Sequence, residues 1–362
     1  MCWLPTILIL PYLFLLLKIY RSLLKIELFN ISVDTVTFVS VVVACRNEEE
    51  SLPFLLKSFE KQNYPDELFE VIIVNDNSTD KTYGIATGYS GVLNLKAVNN
   101  KGKGKKQAIR TGIENSSGNL IITTDADCLM KEGWIRTISA FFEKHKPDMI
   151  ICPVKLESGS GFFKKFQEME FLSLQGISAG SAFSGEATMC NGANLAFTRR
   201  SYFDHYDNLH EEIDSGDDIF FLQSLKHESG SKIFWLESTD AIVTTALSPS
   251  VVSFIKQRRR WISKGKAYND TFTISLAIVT FVTIILQVSV LIAGFINRDF
   301  WWIFLTIFLL KTIPDLLIIR NRARSYGTRK LLNWFLPALV VYPFYVLGVV
   351  FYSWISRKNK EY

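Results

Sequence analysis

Residues 37–48 read TFVSVVVACRNE. From Thr37 to Ala44 the run is β-branched and almost continuously apolar, the pattern of a strand buried on both faces. It stops at Arg46, Asn47 and Glu48, so charge gathers where the strand ends. A strand covered on both sides needs helices, and the following sequence supplies them in alternation. Residues 48–62 set Leu52, Leu55, Leu56 and Phe59 on one helical face. Phe69–Val74 is a second strand, closed by Asn75-Asp76-Asn77-Ser78-Thr79-Asp80 as turn and helix cap. Leu93–Val98 is a third strand, with loop and helix over Gly102–Ile113; Asn119–Thr124 is a fourth, with its helix over Glu132–Lys144. The alternation implies an α/β domain with a doubly wound, mostly parallel sheet. Ligands of such sheets bind beyond the carboxyl ends of the strands.

At 362 residues the chain has room for one large domain or two ordinary ones. A composition 48% hydrophobic and 14% aromatic is too apolar for a simple soluble protein. Residues 3–17, 271–297, 301–319 and 334–355 are apolar runs, the third interrupted by Lys311, Pro314 and Asp315. No small-residue cleavage site follows the first, which therefore reads as an anchor. The expected organisation is a transmembrane anchor over 1–24, a soluble domain over 25–266, and about three membrane helices over 267–362. Lys18, Arg21 and Lys25, then Lys256–Lys266, then Arg320–Lys330 flank the spans and fall on one face if the domain is cytosolic. The tail, with Arg357, Lys358 and Lys360, then ends on the other side, a conflict removed if one run lies in the interface. The net charge of +5 sits beside the spans, which suits anionic lipid and argues against nucleic acid. Five cysteines without a CxxC pair argue against zinc and for reduced thiols. Residues 160–178 read either as an amphipathic helix on the membrane or as an ordinary surface helix.

Several clusters carry chemistry. Residues 120–130, LIITTDADCLM, end a strand on Asp125 and Asp127, which point to one side. Two hard oxygen ligands there suit Mg²⁺ or Mn²⁺, although turns are also rich in Asp. Asp76 is either a turn residue or an acceptor for a base or ribose. Lys101-Gly102-Lys103-Gly104-Lys105-Lys106 lacks P-loop spacing; it is a solvated basic loop or a cradle for a diphosphate. Ser215-Gly216-Asp217-Asp218 starts a helix, as a dipole-favoured cap or as the site of a base for a hydroxyl. Gln257-Arg258-Arg259-Arg260-Trp261 is half explained by its place beside a span. Its Gln–Trp spacing also permits an acceptor platform with an arginine near a diphosphate. The four histidines follow no ligand or triad spacing. Lys311 and Asp315, at i and i+4, either orient helices or touch a lipid acceptor.

In order, Ala44–Glu48, Val74–Asp80, the Gly102–Gly104 loop, Asp125-Ala126-Asp127, Gly216-Asp217-Asp218 and Gln257-x-x-Arg260-Trp261 resemble the membrane-bound inverting glycosyltransferases of family 2. The resemblance covers roughly residues 37–265. It implies a Rossmann-like GT-A catalytic domain flanked by transmembrane helices. It also implies nucleotide contacts from Ala44, Arg46, Glu48, Asp76, Lys103 and Asp125, and a Mg²⁺ or Mn²⁺ held by Asp127 and Asp125. Asp218 becomes the general base, with Asp217 where the family often has Glu. Gln257, Arg260 and Trp261 become residues of the acceptor and diphosphate, and Asn191-Gly192-Ala193-Asn194 line the acceptor side. Asn75 departs from the family's frequent Asp. The implied partners are a nucleotide-sugar donor, usually a UDP-sugar, membrane lipids, and a lipid, lipid-linked or glycan acceptor.

The implied reaction is a single displacement with inversion, in a multi-pass protein of the plasma (inner) membrane. Three C-terminal spans are fewer than a polymer-extruding channel needs, so a lipid or lipid-linked acceptor is expected. A processive polysaccharide synthase of the cellulose, chitin, hyaluronan or poly-GlcNAc type is the alternative, since QxxRW is frequent among those enzymes. Two further rivals are a glycoside hydrolase, which needs no nucleotide edge, and a non-catalytic scaffold.

Overall fold

The computed structural model describes residues 4–31, 35–210, 213 and 216–358; Cys2, Ser215 and Lys360 of the sequence reading lie outside them. The chain forms two compact units. One comprises Glu27–Glu157 with Met189–Ala246, the other Met1–Ile26, Ser158–Thr188 and Leu247–Tyr362. The units are discontinuous in sequence, unlike the consecutive segments expected. Residues 158–188 and 247–266, expected in the soluble domain, cluster with the apolar helices.

Among the described residues the first unit has nine strands: β1 Val39–Cys45, β2 Phe69–Asn75, β3 Leu95–Asn99, β4 Leu120–Asp125, β5 Met149–Ile151, β6 Val154–Leu156, β7 Leu195–Thr198, β8 Ile233–Trp235 and β9 Val243–Thr245. Seven form one sheet in the order β3-β2-β1-β4-β7-β5-β8, and β6 pairs with β9. Within the large sheet only β7 runs against its neighbours. The sheet is mostly parallel, as expected. The first four strands lie within two residues of the expected bounds because long β-branched runs report burial on both faces. Strands of three or four residues, such as β5 and β7, are too short to show a period.

Pairing sets the carboxyl ends level. Ala44 is opposite Asp125, Cys45 opposite Asn75, and Asn75 opposite Asn99. The helix Leu52–Glu60 buries Leu52, Leu55, Leu56 and Phe59, the face read from the sequence. The helix Lys105–Glu114 packs on β1 and β2 through Gly112. A Cβ there would lie 2.3 Å from Val42 Cγ1 and 3.1 Å from Val74 Cγ2, so only glycine permits this approach.

The second unit is helical. Among the described residues four helices are long and apolar enough to cross a membrane: Pro5–Leu23, Thr271–Ile296, Phe300–Ser325 and Arg329–Ile355. The third continues through Pro314 and beyond the expected 301–319. Inside it Lys311 is 2% exposed. Its Nζ donates to Asp315 at 2.6 Å, and Tyr12 Oη donates to the other carboxylate oxygen at 2.5 Å. The pair thus ties two of these helices together, the orienting reading of the sequence. The helix Phe162–Phe183 buries Phe166, Met169, Phe171 and Leu172, and with them Gln167, Glu168 and Glu170.

Candidate active site

The polar residues that end β1, β2 and β4 meet at one edge of the sheet. Asn47 and Asn77 take left-handed backbone, with φ of 58° and 57°, a conformation Asn tolerates. Asn47 Oδ1 accepts from Thr79 N at 2.8 Å, and its own N–H donates to Ser78 Oγ at 3.1 Å. Asp80 accepts from Thr82 N at 3.0 Å and from Glu49 N at 3.1 Å, so the loops after β1 and β2 are laced together. Asn75 Nδ2 donates to Asn99 Oδ1 at 2.8 Å, a bond that an Asp could not supply.

Asp76 is 4% exposed. Its Oδ1 accepts from Asn100 Nδ2 at 2.7 Å and from Gly104 N at 2.8 Å. The carboxylate at the end of β2 therefore also shapes the lysine loop. Gly104 has φ of +92°, which favours glycine, and ends that loop at the first turn of the next helix. Three lysines then have three fates. Lys103 is exposed. Lys105 forms an ion pair with Asp125. Lys106, 5% exposed, donates to the carbonyls of Leu209, His210 and Ile213 at 2.6, 2.7 and 3.1 Å. The sequence pointed to Lys103; the structure brings Lys105 to the acids. Helix position distinguishes the two, because Lys105 is the first helical residue after the glycine.

Asp127 Oδ2 accepts from Thr245 Oγ1 at 3.1 Å, a partner from β9 that no sequence signal indicated. Desolvation, and then the Asp125 charge, hold the Asp127 carboxyl above its usual range. Burial also raises Glu48, and the charges of Asp127, Asp125 and Asp80 add to it. Desolvation opposes the charge of Lys105, but Asp125, Asp217 and Asp218 outweigh it and hold the ammonium above its ordinary value. Such crowding of acids at a strand edge is relieved by a cation. Among the described residues no three His, Cys, Asp or Glu side chains converge as a ready cage. Asp125 and Asp127 alone fit Mg²⁺ or Mn²⁺, which keep waters and take further oxygens from a phosphate. Burial, and then neighbouring carboxylates, push the thiols of Cys45 and Cys128 up, so sulfur is a poor competitor for such an ion.

Asp217 and Asp218 open the helix Asp217–His227 behind Gly216, whose φ is +97°. Asp218 Oδ1 accepts from Ile219 N at 2.9 Å and Oδ2 from Gly192 N at 3.0 Å. Its orientation is thus fixed by two backbone donors. A Cβ at Gly192 would lie 3.7 Å from Asp218 Oδ2 and 3.9 Å from Lys105 Nζ. Gly192 thus touches the Asp218 carboxylate and lies close to Lys105, which pairs with Asp125 and feels the charge of Asp218. Asn191 Oδ1 accepts from Ala193 N at 3.0 Å. Ala193 is 2% exposed and belongs to the hydrophobic core. Asn194 is fully buried, bonding Pro153 and Ala241 carbonyls at 2.8 and 2.7 Å and Trp134 Nε1 at 3.0 Å, so it holds the fold. Ala44 is half-buried and Arg46 exposed at the same strand ends.

Gln257, Arg260 and Trp261 lie in the helical unit, on the helix Val251–Ser263, which Ser250 and Ser253 cap reciprocally. Arg260 is exposed. Arg258, within the same motif, is buried and pairs with Glu170: Nε to Oε1 at 2.9 Å, Nη2 to Oε2 at 2.6 Å. Positive charge beside a span masked this role in the sequence.

Residues 40–207 match the model of glycosyl transferase family 2. A poly(ribitol-phosphate) β-N-acetylglucosaminyltransferase, TarS, of Staphylococcus aureus is 32% identical over 126 residues, 34% of this chain and 22% of the relative. A β-monoglucosyldiacylglycerol synthase of Nostoc is 26% identical over 307 residues, 79% of this chain and 59% of the relative. The chain thus spans about a fifth and about three fifths of these curated relatives' lengths. The mannosyltransferase PcManGT of Pyrobaculum calidifontis, solved with GDP-Man and Mn²⁺, covers 93% of this chain and 97% of its own at 15% identity, with a TM-score of 0.57. The fold is of the GT-A type.

Proposed function

We propose that this chain, a carrier of a glycosyl transferase family 2 domain, moves a sugar from a nucleotide-diphosphate donor to a lipid or lipid-linked hydroxyl. One observation carries the reading. Lys105 pairs with Asp125 at the end of β4 and lies close to Gly192, whose N–H helps orient Asp218 through both oxygens. That arrangement offers a place for a diphosphate beside a place for a hydroxyl.

The nucleotide, a uridine diphosphate, lies along the ends of β1 and β2. Ala44, Arg46 and Glu48 meet it from one loop and Asp76 from the next, with Lys103 at the loop tip. Asp127 and Asp125 would hold Mg²⁺ or Mn²⁺, which would supply positive charge to stabilise the departing diphosphate. Lys105 adds a fixed positive charge on the same side. The acceptor hydroxyl sits over Asn191 and Gly192, with Ala193 beneath them in the core.

Asp218 takes the hydroxyl proton as the oxygen attacks the anomeric carbon from the face opposite the diphosphate. The glycosidic bond to the new oxygen forms while the bond to the diphosphate breaks, so configuration inverts. Asp217 strengthens the negative field at the same helix start. Gln257, Arg260 and Trp261 form an acceptor surface of the helical unit.

The lipid reading draws support from the four apolar helices and from the name of the Nostoc relative. With the basic clusters on the cytosolic side, the catalytic unit faces the cytosol at the plasma (inner) membrane. A panel of nucleotide sugars, offered to the full chain in vesicles of native polar lipid with mass spectrometry of the extract, tests it. A new hexosylated lipid is expected with a UDP-sugar. Nucleotide-independent glycan hydrolysis, or no product with any donor, overturns it.

A further inference from the structure

The motif Gln257-Arg258-Arg259-Arg260-Trp261 holds three adjacent arginines whose environments differ sharply. Arg259 lies over the Tyr352 ring at 5.5 Å, and Arg260 is exposed. Arg258 is enclosed. Its guanidinium sits 4.5 Å from the Phe254 ring centre and 4.1 Å from that of Trp261, the residues one turn before and one turn after it on the same helix face. It also donates to Gln257 Oε1 at 2.5 Å. One side chain therefore touches both the first and the last residue of the motif.

A second helix fixes Arg258. Its fork meets the carboxylate of Glu170 with side-chain exposures of 6% and 7%, and Tyr345 Oη donates to Glu170 Oε1 at 3.1 Å. Three residues earlier on that helix, Gln167 accepts from Ser248 N at 3.0 Å and donates to Ser248 O at 3.1 Å. Ser248 Oγ in turn donates to Gln257 Oε1 at 3.4 Å. With Oε1 taken by two donors, the amide NH₂ of Gln257 is the end left to meet an acceptor oxygen. A buried ion pair seldom stabilises more than apolar residues of equal volume. Apolar residues could stack on Trp261 but could not aim the Gln257 amide.

We infer that Arg258, held by Glu170, is a positioning residue that sets the Gln257 amide and the Trp261 ring as the platform for the acceptor. The inference rests on the glycosyltransfer reading for what the platform holds, but not for how the platform is held.

The test uses the full chain in lipid vesicles and the double variant Glu170→Leu/Arg258→Met, with Arg258→Lys beside it. Hydroxyl-radical labelling read by mass spectrometry reports Trp261 directly. Nucleotide binding and sugar transfer to native polar lipid are measured in parallel. The expected result is severalfold more oxidation of Trp261 and transfer reduced about tenfold or more, as misplacement of a reacting group costs, with nucleotide affinity unchanged. Arg258→Lys, which keeps charge but not the fork or the stack, behaves alike. If the double variant does not fold, the lysine variant decides by the same two measurements. Wild-type labelling of Trp261 and wild-type transfer in a folded variant overturn the inference. If the wild type transfers nothing while labelling still rises in the variants, the positioning holds and the glycosyltransfer reading fails.

Discussion

Lys106→Met removes a buried ammonium whose three N–H groups meet three carbonyls, those of Leu209, His210 and Ile213. Hydrogen bonds from a charged donor are worth about 1.5–3 kcal/mol each. Burial of the ammonium costs several kcal/mol, which the variant regains. The net loss comes to roughly 3 kcal/mol, or about a hundredfold in the local opening equilibrium. Methionine fills most of the volume and stays in contact with Phe220, which the ammonium approaches at 5.5 Å. The damage therefore falls on the polypeptide just ahead of Asp217 and Asp218, not on the sheet. Hydrogen exchange with mass spectrometry reads it directly. The amides of Leu209 and Ile213, bonded to Tyr206 and His210 carbonyls, should exchange about a hundred times faster, with β1, β2 and β4 unchanged. Transfer falls while nucleotide binding persists. Unchanged exchange at Leu209 and Ile213 would refute the clamp.

Further outcomes follow from the structure. Asp218→Asn should lower transfer by about three orders of magnitude while leaving nucleotide affinity intact, since general-base catalysis supplies about 10²–10⁴-fold; calorimetry and product assay separate the two. The carboxyls of Asp127 and Glu48 are held above the usual range, so the folded chain keeps protons that the unfolded chain has lost. Stability without metal then declines as pH rises from about 4 through the raised values, and thermal stabilisation by Mn²⁺ should be larger near pH 7.5 than near about pH 5, because ligands must deprotonate. Asp127→Ala should abolish that Mn²⁺ effect; equal stabilisation in the variant would remove Asp127 from the metal. Gly112→Ala, which drives a Cβ to 2.3 Å from Val42 Cγ1, should cost about 1–3 kcal/mol, seen as a lower melting temperature.

The sheet was legible where strands are long. TFVSVVVA and LIITTD announce burial by composition alone, and their polar ends place Glu48, Asp125 and Asp127 at one edge. Asp218 was legible as a helix start, but its two backbone partners were not, because Gly192 reaches it across 26 residues of chain. Lys105 and Lys103 look alike in sequence; only the turn of Gly104 decides which one faces Asp125. Thr245 was invisible because β9 has three residues. Arg258 was hidden for a different reason. A basic run beside an apolar helix reads as orientation signal, and no local pattern discloses a carboxylate 88 residues away.

The central claim is an inverting transfer from a nucleotide sugar with Asp218 as base. Its most direct test is NMR of the lipid product made by the full chain from an α-linked UDP-sugar in native polar lipid. The account requires a β-linked product, absent with Asp218→Asn. An α-linked product, or a β-linked product formed equally well by the Asn variant, would contradict it.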